Sequence, residues 1–365
     1  MFLNNIYCRI INWKNNLCMM ILNLVKERLS FLKKAYYAWK QKQLGAWKFF
    51  LWVEKKGERK IRHKYYKQKE KTATNTDSIV IYMANGYTWH GGLADRLKGI
   101  VSLYAWCKDH GKSFRINFVH PFRLQNYLMP NHYDWLVADE DISYNPKESR
   151  VLQCLMNPIL YDVECQKNMQ SLLEGWLDDN LPSPEKQLHV YTNMRSGNAR
   201  FAELFNELFK PVPRLQNMID EQQHCLGKRY ISVSFRFTTL LSDFTDCTGP
   251  ALPVEERQPL ISKCLDAILQ LSKTAPAHDK ILVTADSSTF LEQVSQLPDV
   301  YVIPGKVGHI DYDADDEVNL KTFLDFLLIA QAEAVYLVKA EKMYNSAFAK
   351  TAAMVNNRPF TLIEI

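Results

Sequence analysis

The sequence lacks the standard phosphate-binding motifs and is poor in glycine. Only 13 of its 365 residues are glycine, and neither a Walker sequence nor a complete G-x-G-x-x-G occurs, so no stock motif argues for a nucleotide site. Its eight cysteines include no C-x-x-C pair and no histidine partner at zinc-finger spacing. This pattern predicts reduced thiols in a cytosolic protein rather than a disulfide framework or a zinc site.

Long apolar runs are also absent. The run LCMMILNLV, residues 17–25, has nine residues, well short of the roughly 18–20 that span a bilayer. Charged residues follow it without a small-residue cleavage site, so it does not resemble a cleaved signal peptide. We therefore expect a cytoplasmic protein without a membrane-spanning helix.

Charge is distributed unevenly along the chain. Residues 1–72 contain 18 Lys and Arg but only 4 Asp and Glu, a net charge of +14, whereas the remaining residues carry −9. Aromatic residues alternate with lysines in FLKKAYYAWKQKQLGAWKFFLWVEKK, as in helices that lie on anionic lipid. We interpret residues 1–75 as a basic amphipathic arm, peripheral on the inner face of the cell membrane. A soluble packing helix is the alternative, and nucleic-acid binding is not expected.

Strand and helix patterns alternate in the rest of the chain, which is typical of a parallel α/β architecture. The proline-bearing connector KPVPRL precedes a boundary near Leu226, and predicts an N-terminal domain of residues 76–226 and a C-terminal domain of residues 227–365. In the second domain, strands are predicted at 230–235, 280–284, 300–303 and 334–338. Ligands of such doubly wound domains bind at the carboxyl ends of the strands.

The stretch NGYTWHGGLADRLKG joins the first predicted strand, 78–84, to a helix at 94–110. Gly91 and Gly92 permit a tight turn and the close approach of a ligand. Unpaired amides at the start of the helix favour an anion. An ordinary strand-to-helix turn is the alternative interpretation.

Arg236 follows the first strand of the second domain. A guanidinium there can pair bidentately with a phosphate, and a salt bridge to Asp243 or Asp246 is the alternative.

Two further polar pairs follow later strands of the second domain. Asp286 and Ser287 end the segment ILVTADS, while Asn345 and Ser346 precede an alanine-rich helix. Either pair can cap a helix or contact a nucleotide, and the sequence leaves both interpretations open.

Four segments, taken in order, resemble one family. HGGLADRLKGIVSLYAWC resembles the segment that opens the acceptor domain of bacterial fucosyltransferase-like enzymes, including the nodulation type. ISVSFR, ILVTAD and FLDFLLIAQAEAVYLVKAEKMYNSAFAKTAAMVNNRPF resemble the donor-domain motifs of the GDP-fucose transferase superfamily. The resemblance extends from residue 78 to the C-terminus and does not cover the basic arm.

The resemblance implies an α/β protein of the GT-B type, with two Rossmann-like domains facing a cleft, preceded here by the basic helical arm. It also implies inversion at the anomeric carbon and no catalytic metal. Arg236 would neutralise the leaving diphosphate, and Asp286 with Ser287 would lie by the nucleoside. Asn345, Ser346 and Ala347 would bring helix amides to a phosphate.

On the acceptor side, the resemblance implies that Arg96 and the Gly91–Gly92 turn close the cleft and form an edge shared by donor and acceptor, so all three residues are predicted to contact the donor. An inverting transfer needs one group that takes the proton of the acceptor hydroxyl. No motif identifies that base, and its candidates are His90, Asp95, Asp243 and Asp246.

The implied function is transfer of a sugar, fucose from GDP-fucose in the first instance, onto a glycan or lipid-linked acceptor in bacterial surface polysaccharide synthesis. One departure is important: the typical His-x-Arg of the family is Ser234-Phe235-Arg236 here, which leaves another GDP-sugar open. The alternative is a catalytically lapsed protein that binds a nucleotide sugar or a glycan at the membrane.

Overall fold

The computed structural model describes residues 31–68, 71–72, 78–157, 173–182, 185–195, 200–244, 249–309, 315–340 and 342–365. These fall into two compact units, one with residues 31–57 and 156–157 and the other with the remaining described residues. The apolar run at 17–25 lies outside the described residues.

The described part of the basic arm is helical, as predicted. Helix α1 occupies residues 31–44, and Gly45 ends it with φ +74°, the left-handed conformation that glycine supplies after a helix. Helix α2, Ala46–Tyr66, follows. Within the first unit the rings of Tyr37 and Trp52 meet edge to face with centroids 5.9 Å apart. None of the described helices is both long and apolar enough to cross a membrane.

The first half of the larger unit contains a four-stranded parallel sheet in the order β2-β1-β5-β4. Helix α3, Leu93–Asp109, connects β1 to β2 and buries most of its length because apolar side chains recur at helical spacing. A short antiparallel pair, β3 with β6, and the helices α4 to α6 complete this half. The bounds are β1 Ile79–Ala84, β2 Ser113–Phe118, β3 Leu128–Pro130, β4 Ser149–Cys154, α4 173–180, β5 Gln187–Thr192, α5 Phe201–Leu208, β6 Phe209–Pro211 and α6 Pro213–Leu226.

The second half contains a five-stranded parallel sheet in the order β11-β10-β7-β8-β9. Its central strands are buried along their length, as expected where helices cover both faces of a sheet. The bounds are β7 Tyr230–Phe235, α7 Val254–Thr274, β8 Lys280–Thr284, α8 Ser288–Val294, β9 Val300–Tyr301, α9 Asp316–Gln331, β10 Val335–Lys339, α10 Ala347–Val355 and β11 Phe360–Glu364. The alternation of strand and helix predicted from the sequence is confirmed.

Contacts join the two halves inside this unit. Helix α10 packs against both α3 and α5. The ring of Tyr127 stacks on that of Phe323 with centroids 4.7 Å apart, and the Tyr127 hydroxyl donates to Oδ1 of Asp316 at 2.7 Å. The four described cysteines, Cys107, Cys154, Cys225 and Cys264, are free thiols.

Candidate functional site

Three polar residues named from the sequence gather at one edge of the second sheet. Strands β10, β7 and β8 are parallel neighbours, so the loops that follow them meet at their carboxyl ends. Arg236 follows β7, Asp286 follows β8, and Asn345 lies exposed in the loop after β10. The fold therefore places all three in the region where open α/β sheets bind ligands.

An ion pair joins Arg236 to Asp286, a partner that the sequence analysis did not consider. Nη1 of Arg236 lies 3.2 Å from Oδ2 of Asp286, and these side chains are 21% and 5% exposed. The carboxylate also accepts from the amides of Phe237 and Thr238, both at 2.7 Å. Burial raises the pKa of Asp286, while the Arg236 charge and the two amides oppose that rise. Asp286 thus fixes both the arginine and the loop after β7.

The guanidinium of Arg236 has an aromatic neighbour as well. Its Cζ lies 4.9 Å from the ring centroid of Phe244, a cation–π distance. The Arg236 carbonyl accepts from the amide of Tyr344 at 3.1 Å. The side chain is thus held in place while part of it stays exposed, which suits bidentate binding of a phosphate.

Asp243 accepts hydrogen bonds at the start of helix α8. Its Oδ2 accepts from the Ser287 hydroxyl and the Thr289 amide, both at 2.8 Å, and lies 3.3 Å from the Ser288 hydroxyl. Burial alone would raise the pKa of Asp243, but these donors outweigh it and lower the pKa. Ser287 caps α8 by accepting from the Phe290 amide at 3.1 Å. Asp246, the neighbouring candidate, lies outside the described residues.

Ser346 caps helix α10 in the same manner. Its hydroxyl accepts from the amide of Phe348 at 3.2 Å, and Ala347 is the first helical residue. The capping interpretation of this serine thus has a contact to support it. Its contact with a phosphate stays a prediction.

Gly91 and Gly92, in the turn between β1 and α3, differ in backbone conformation and in the space beside them. Gly91 has φ +80°, and a Cβ there would lie 2.5 Å from Oδ2 of Asp95, so a larger residue would strain the backbone and displace the Asp95 carboxylate. Gly92 is extended, with φ −69° and ψ −178°, and has open space beside its Cα. Only Gly91 therefore needs to be glycine for the turn itself.

Arg96 holds this turn from within. It is almost fully buried, and its Nε donates to the carbonyl of Gly91 at 2.9 Å while Nη1 donates to that of His120 at 2.7 Å. Its Cζ lies 5.2 Å from the ring centroid of Phe118. These contacts support a structural role beside the donor contact that the resemblance implies.

His90 is buried and neutral. Burial first, and the charge of Arg96 second, lower its pKa to about 3. Nδ1 lies 3.2 Å from the carbonyl of Thr88, and the backbone of Met83 also acts on the ring, each favouring a ring proton. No hydrogen-bond partner of Nε2 occurs among the described residues.

Asp95 is the more accessible candidate at this turn. Its side chain is 35% exposed, and Oδ1 lies 2.7 Å from Nζ of Lys98. It occupies the first turn of α3, where a carboxylate is stabilised by the helix dipole.

Sequence reasoning missed a buried hydrogen-bond chain that ends at this turn. Nε2 of His189 lies 3.0 Å from Oε1 of Gln187, and because that oxygen only accepts, Nδ1 of His189 accepts from the Tyr65 hydroxyl at 2.6 Å. Tyr65 lies 3.0 Å from the Tyr191 hydroxyl, which accepts from Nδ2 of Asn85 at 3.1 Å. These residues are distant in sequence, and no local motif predicts their hydrogen bonds.

Metal ligands do not cluster in the described ranges: no group of three or more His, Cys, Asp or Glu there is arranged to hold an ion. Chelation with EDTA would test the expectation of a metal-independent reaction.

Comparison with known proteins gives structural matches alone. No family model matches the sequence, and no curated protein matches it. The chain is similar to NodZ alpha-1,6-fucosyltransferase soaked with GDP-fucose, at 14% identity and a TM-score of 0.52, over 76% of this chain and 92% of that one. A structure of NodZ from Bradyrhizobium gives 15% identity and a TM-score of 0.51 over 76% and 92%.

A plant structure matches over more of this chain. FUT1 of Arabidopsis thaliana, a mutant in complex with GDP, has 12% identity and a TM-score of 0.50, over 86% of this chain and 78% of that one. At such identities the likeness concerns the fold. The chain therefore has the fucosyltransferase-like GT-B fold that its sequence motifs imply.

Proposed function

We propose that this protein is an inverting glycosyltransferase that uses a GDP-sugar, with fucose as the first candidate sugar. Two solved structures of this fold are NodZ soaked with GDP-fucose and an FUT1 mutant in complex with GDP. The observation that carries the proposal is Arg236, a part-exposed guanidinium fixed by Asp286 at the carboxyl end of β7. A cation held in this way is preorganised for a diphosphate.

The proposed reaction is a single displacement at the anomeric carbon. The bond between that carbon and the β-phosphate oxygen breaks, and a bond to the acceptor hydroxyl oxygen forms on the opposite face. GDP leaves with its negative charge next to Arg236. The acceptor proton passes to a carboxylate, for which we propose Asp95, since His90 is buried with a depressed pKa and Asp243 already accepts from α8.

The choice of sugar depends on the residue two positions before Arg236. Ser234 is buried there, with its hydroxyl 2.8 Å from that of Thr284. Because this hydroxyl is buried and bonded within the sheet, we do not expect it to take the place of the family's histidine as a ligand. This feature favours the second candidate function, a protein that binds the nucleotide sugar or the glycan without turnover.

Donor binding is the first test of the proposal. In EDTA, GDP-fucose at about 100 times its Kd should contribute about 2.7 kcal/mol of stability and raise the Tm by on the order of 5 °C. GDP-mannose and UDP-glucose, measured alongside by thermal shift, serve as specificity controls.

Three outcomes, two from thermal shift and one from an added assay of GDP release, distinguish the hypotheses. A response that appears only with added manganese or magnesium contradicts the metal-independent mechanism. A Tm unchanged by every GDP compound contradicts the proposed donor. Stabilisation by GDP-fucose without release of GDP in the presence of glycan and lipid-linked acceptors favours the binding protein.

We further propose that residues 1–72 bind an anionic membrane surface and so bring the protein to a glycan or lipid-linked acceptor in bacterial surface polysaccharide synthesis. Helix α1 exposes Phe31, Leu32 and Trp39 at 71%, 62% and 53%. Lysines flank these side chains, and Nζ of Lys40 lies 5.7 Å from the Trp39 ring. Large apolar side chains interleaved with lysines are typical of interfacial helices.

Deleting the arm as far as residue 72 is unsuitable as a test. Ile61 and Tyr65 lie on α2 yet are buried in the core with Ile79 and Ile81 of β1. Their removal would leave a cavity under the first sheet, which typically costs several kcal/mol. Substitutions in α1 avoid this problem.

The substitution of Phe31, Leu32 and Trp39 by serine in the full chain should weaken binding to vesicles that contain phosphatidylglycerol by at least about tenfold, since a loss of only about 1.4 kcal/mol of apolar transfer energy suffices. Co-sedimentation at low and high salt measures it. Serine at Val254 and Leu269, exposed apolar positions of α7, is the matched control. Equal binding by the α1 variant and the wild type would refute the membrane surface.

A further inference from the structure

Trp89 is an exposed aromatic residue in the turn between β1 and α3. Its side chain is 46% exposed, whereas the adjacent His90 is 1% exposed. Across the described part of the chain, no hydrogen bond, ring contact or cation–π contact involves its indole. A large part of the indole is therefore presented to solvent.

The backbone on either side of Trp89 is fixed. Nζ of Lys64 donates to the carbonyl of Tyr87 at 2.9 Å, and the amide of Tyr87 donates to Asn85 Oδ1 at 3.3 Å. On the other side, the Gly91 carbonyl accepts from Arg96. An exposed side chain on an anchored turn loses little backbone freedom when it binds, which is the arrangement that preorganised binding sites use.

The position of Trp89 lies on the acceptor side of the proposed reaction. Strand β1 is an inner strand of the first sheet, and Trp89 follows its carboxyl end, six residues before the proposed base, Asp95. The proposed phosphate ligand, Arg236, follows the second sheet instead. The ring therefore lies close along the chain to the proposed base, which the acceptor hydroxyl must reach.

We propose that Trp89 is a stacking platform for a pyranose ring of the glycan acceptor, an inference that rests on the proposed glycosyl transfer. One face of a pyranose presents C–H groups, which pack on an aromatic ring. Indole offers a broad apolar surface, and so matches that face. The platform would hold the acceptor with one hydroxyl toward Asp95.

The test uses the full chain labelled with 5-fluorotryptophan and titrated with tetrasaccharides of β-linked glucose, galactose or N-acetylglucosamine. The Trp89 fluorine resonance, assigned through Trp89→Phe, should shift on addition of at least one of them. Calorimetry should show a Kd at least about fivefold weaker for Trp89→Ala, in line with the loss of an aromatic contact. Trp89→Phe should recover part of that affinity, since it keeps a ring.

Tyr66→Ala is the matched control, because Tyr66 is 56% exposed at the end of α2. The Tm rise given by GDP reports separately on Arg236 and confirms that each variant is folded. Equal tetrasaccharide affinities of the wild type and Trp89→Ala overturn the platform, as does a wild type that binds none of the three. Oligosaccharide binding through Trp89 in a protein that GDP-fucose does not stabilise would retain the platform and refute the proposed donor.

Discussion

Arg236→Ala is expected to lower kcat/KM by about 10²–10³-fold, the effect of losing one preorganised electrostatic donor. Negative charge accumulates on GDP as the sugar leaves, so a guanidinium beside the diphosphate stabilises the transition state more than the ground state. Arg236→Lys should restore little, since an ammonium is a point charge without the planar fork. Steady-state release of GDP, measured with each variant at matched folded concentration, gives the comparison.

The ion pair with Asp286 offers a competing explanation that the same variants separate. If Arg236 only anchors the buried carboxylate and the loop after β7, its replacement should lower the Tm and leave turnover per folded molecule unchanged. Such a result would remove Arg236 from the active site, and with it the main support for the proposed reaction. Lys342→Ala is the control, since it deletes an exposed cation from the same half, 3.0 Å from Glu256.

Asp286→Asn distinguishes positioning of the arginine from its chemistry. The amides of Phe237 and Thr238 donate to different oxygens of Asp286, so an asparagine keeps one of these hydrogen bonds, loses the other, and loses the charge opposite Arg236. Arg236 would then keep its place less well, so kcat/KM should fall by less than in Arg236→Ala, and a lower Tm should accompany it.

Most of the second half of the fold was predictable because its signals are local. Apolar strands end in polar residues, and Ser287 and Ser346 cap the helices that follow them. Helix α7 is the exception: a proline favours the first position of a helix, but the helix begins at Val254, five residues before Pro259. The helix dipole stabilises the carboxylates of Glu255 and Glu256 in the first turn, which supports this earlier start. Pro259 lies inside the helix and removes one backbone hydrogen bond.

The centre of the first sheet could not be read from the sequence. Strand β5, Gln187–Thr192, is buried at every position although it includes a glutamine and a histidine. Their burial is tolerated because Gln187 and His189 bond to each other, and His189 also bonds to Tyr65. Those partners come from another element, so a pattern of hydrophobicity within the strand does not show them.

In the candidate site, too, local features were predictable from the sequence and contacts between distant residues were not. The residue types at the strand ends were identified from the sequence, but their pairing was not, because the pairing of Arg236 with Asp286 depends on β7 and β8 being adjacent. Similarly, the sequence alone gives Gly91 and Gly92 the same predicted role in the turn. Only the backbone conformation and the proximity of Asp95 reveal that Gly91 alone is constrained.

The proposed base leads to the second large expected effect. Asp95→Ala should lower kcat/KM by about 10²–10⁴-fold, the usual contribution of a general base, while stabilisation by GDP remains. Formate supplied in solution should restore part of the rate, because it replaces the missing carboxylate. Rates are measured with saturating GDP-fucose and the best acceptor, with and without formate.

A purely structural role of Asp95 predicts a different outcome. A carboxylate in the first turn of α3 stabilises the helix by about 0.3–1 kcal/mol, and its ion pair with Lys98 is part of that environment. Lys98→Ala removes the ion pair but keeps the carboxylate, so it should lower the Tm slightly and leave formate without effect. A rate for Asp95→Ala within about threefold of the wild type, or one that formate does not raise, would exclude Asp95 as the base. His90 would then be the remaining described candidate at this turn, although its low pKa makes it a weaker proton acceptor.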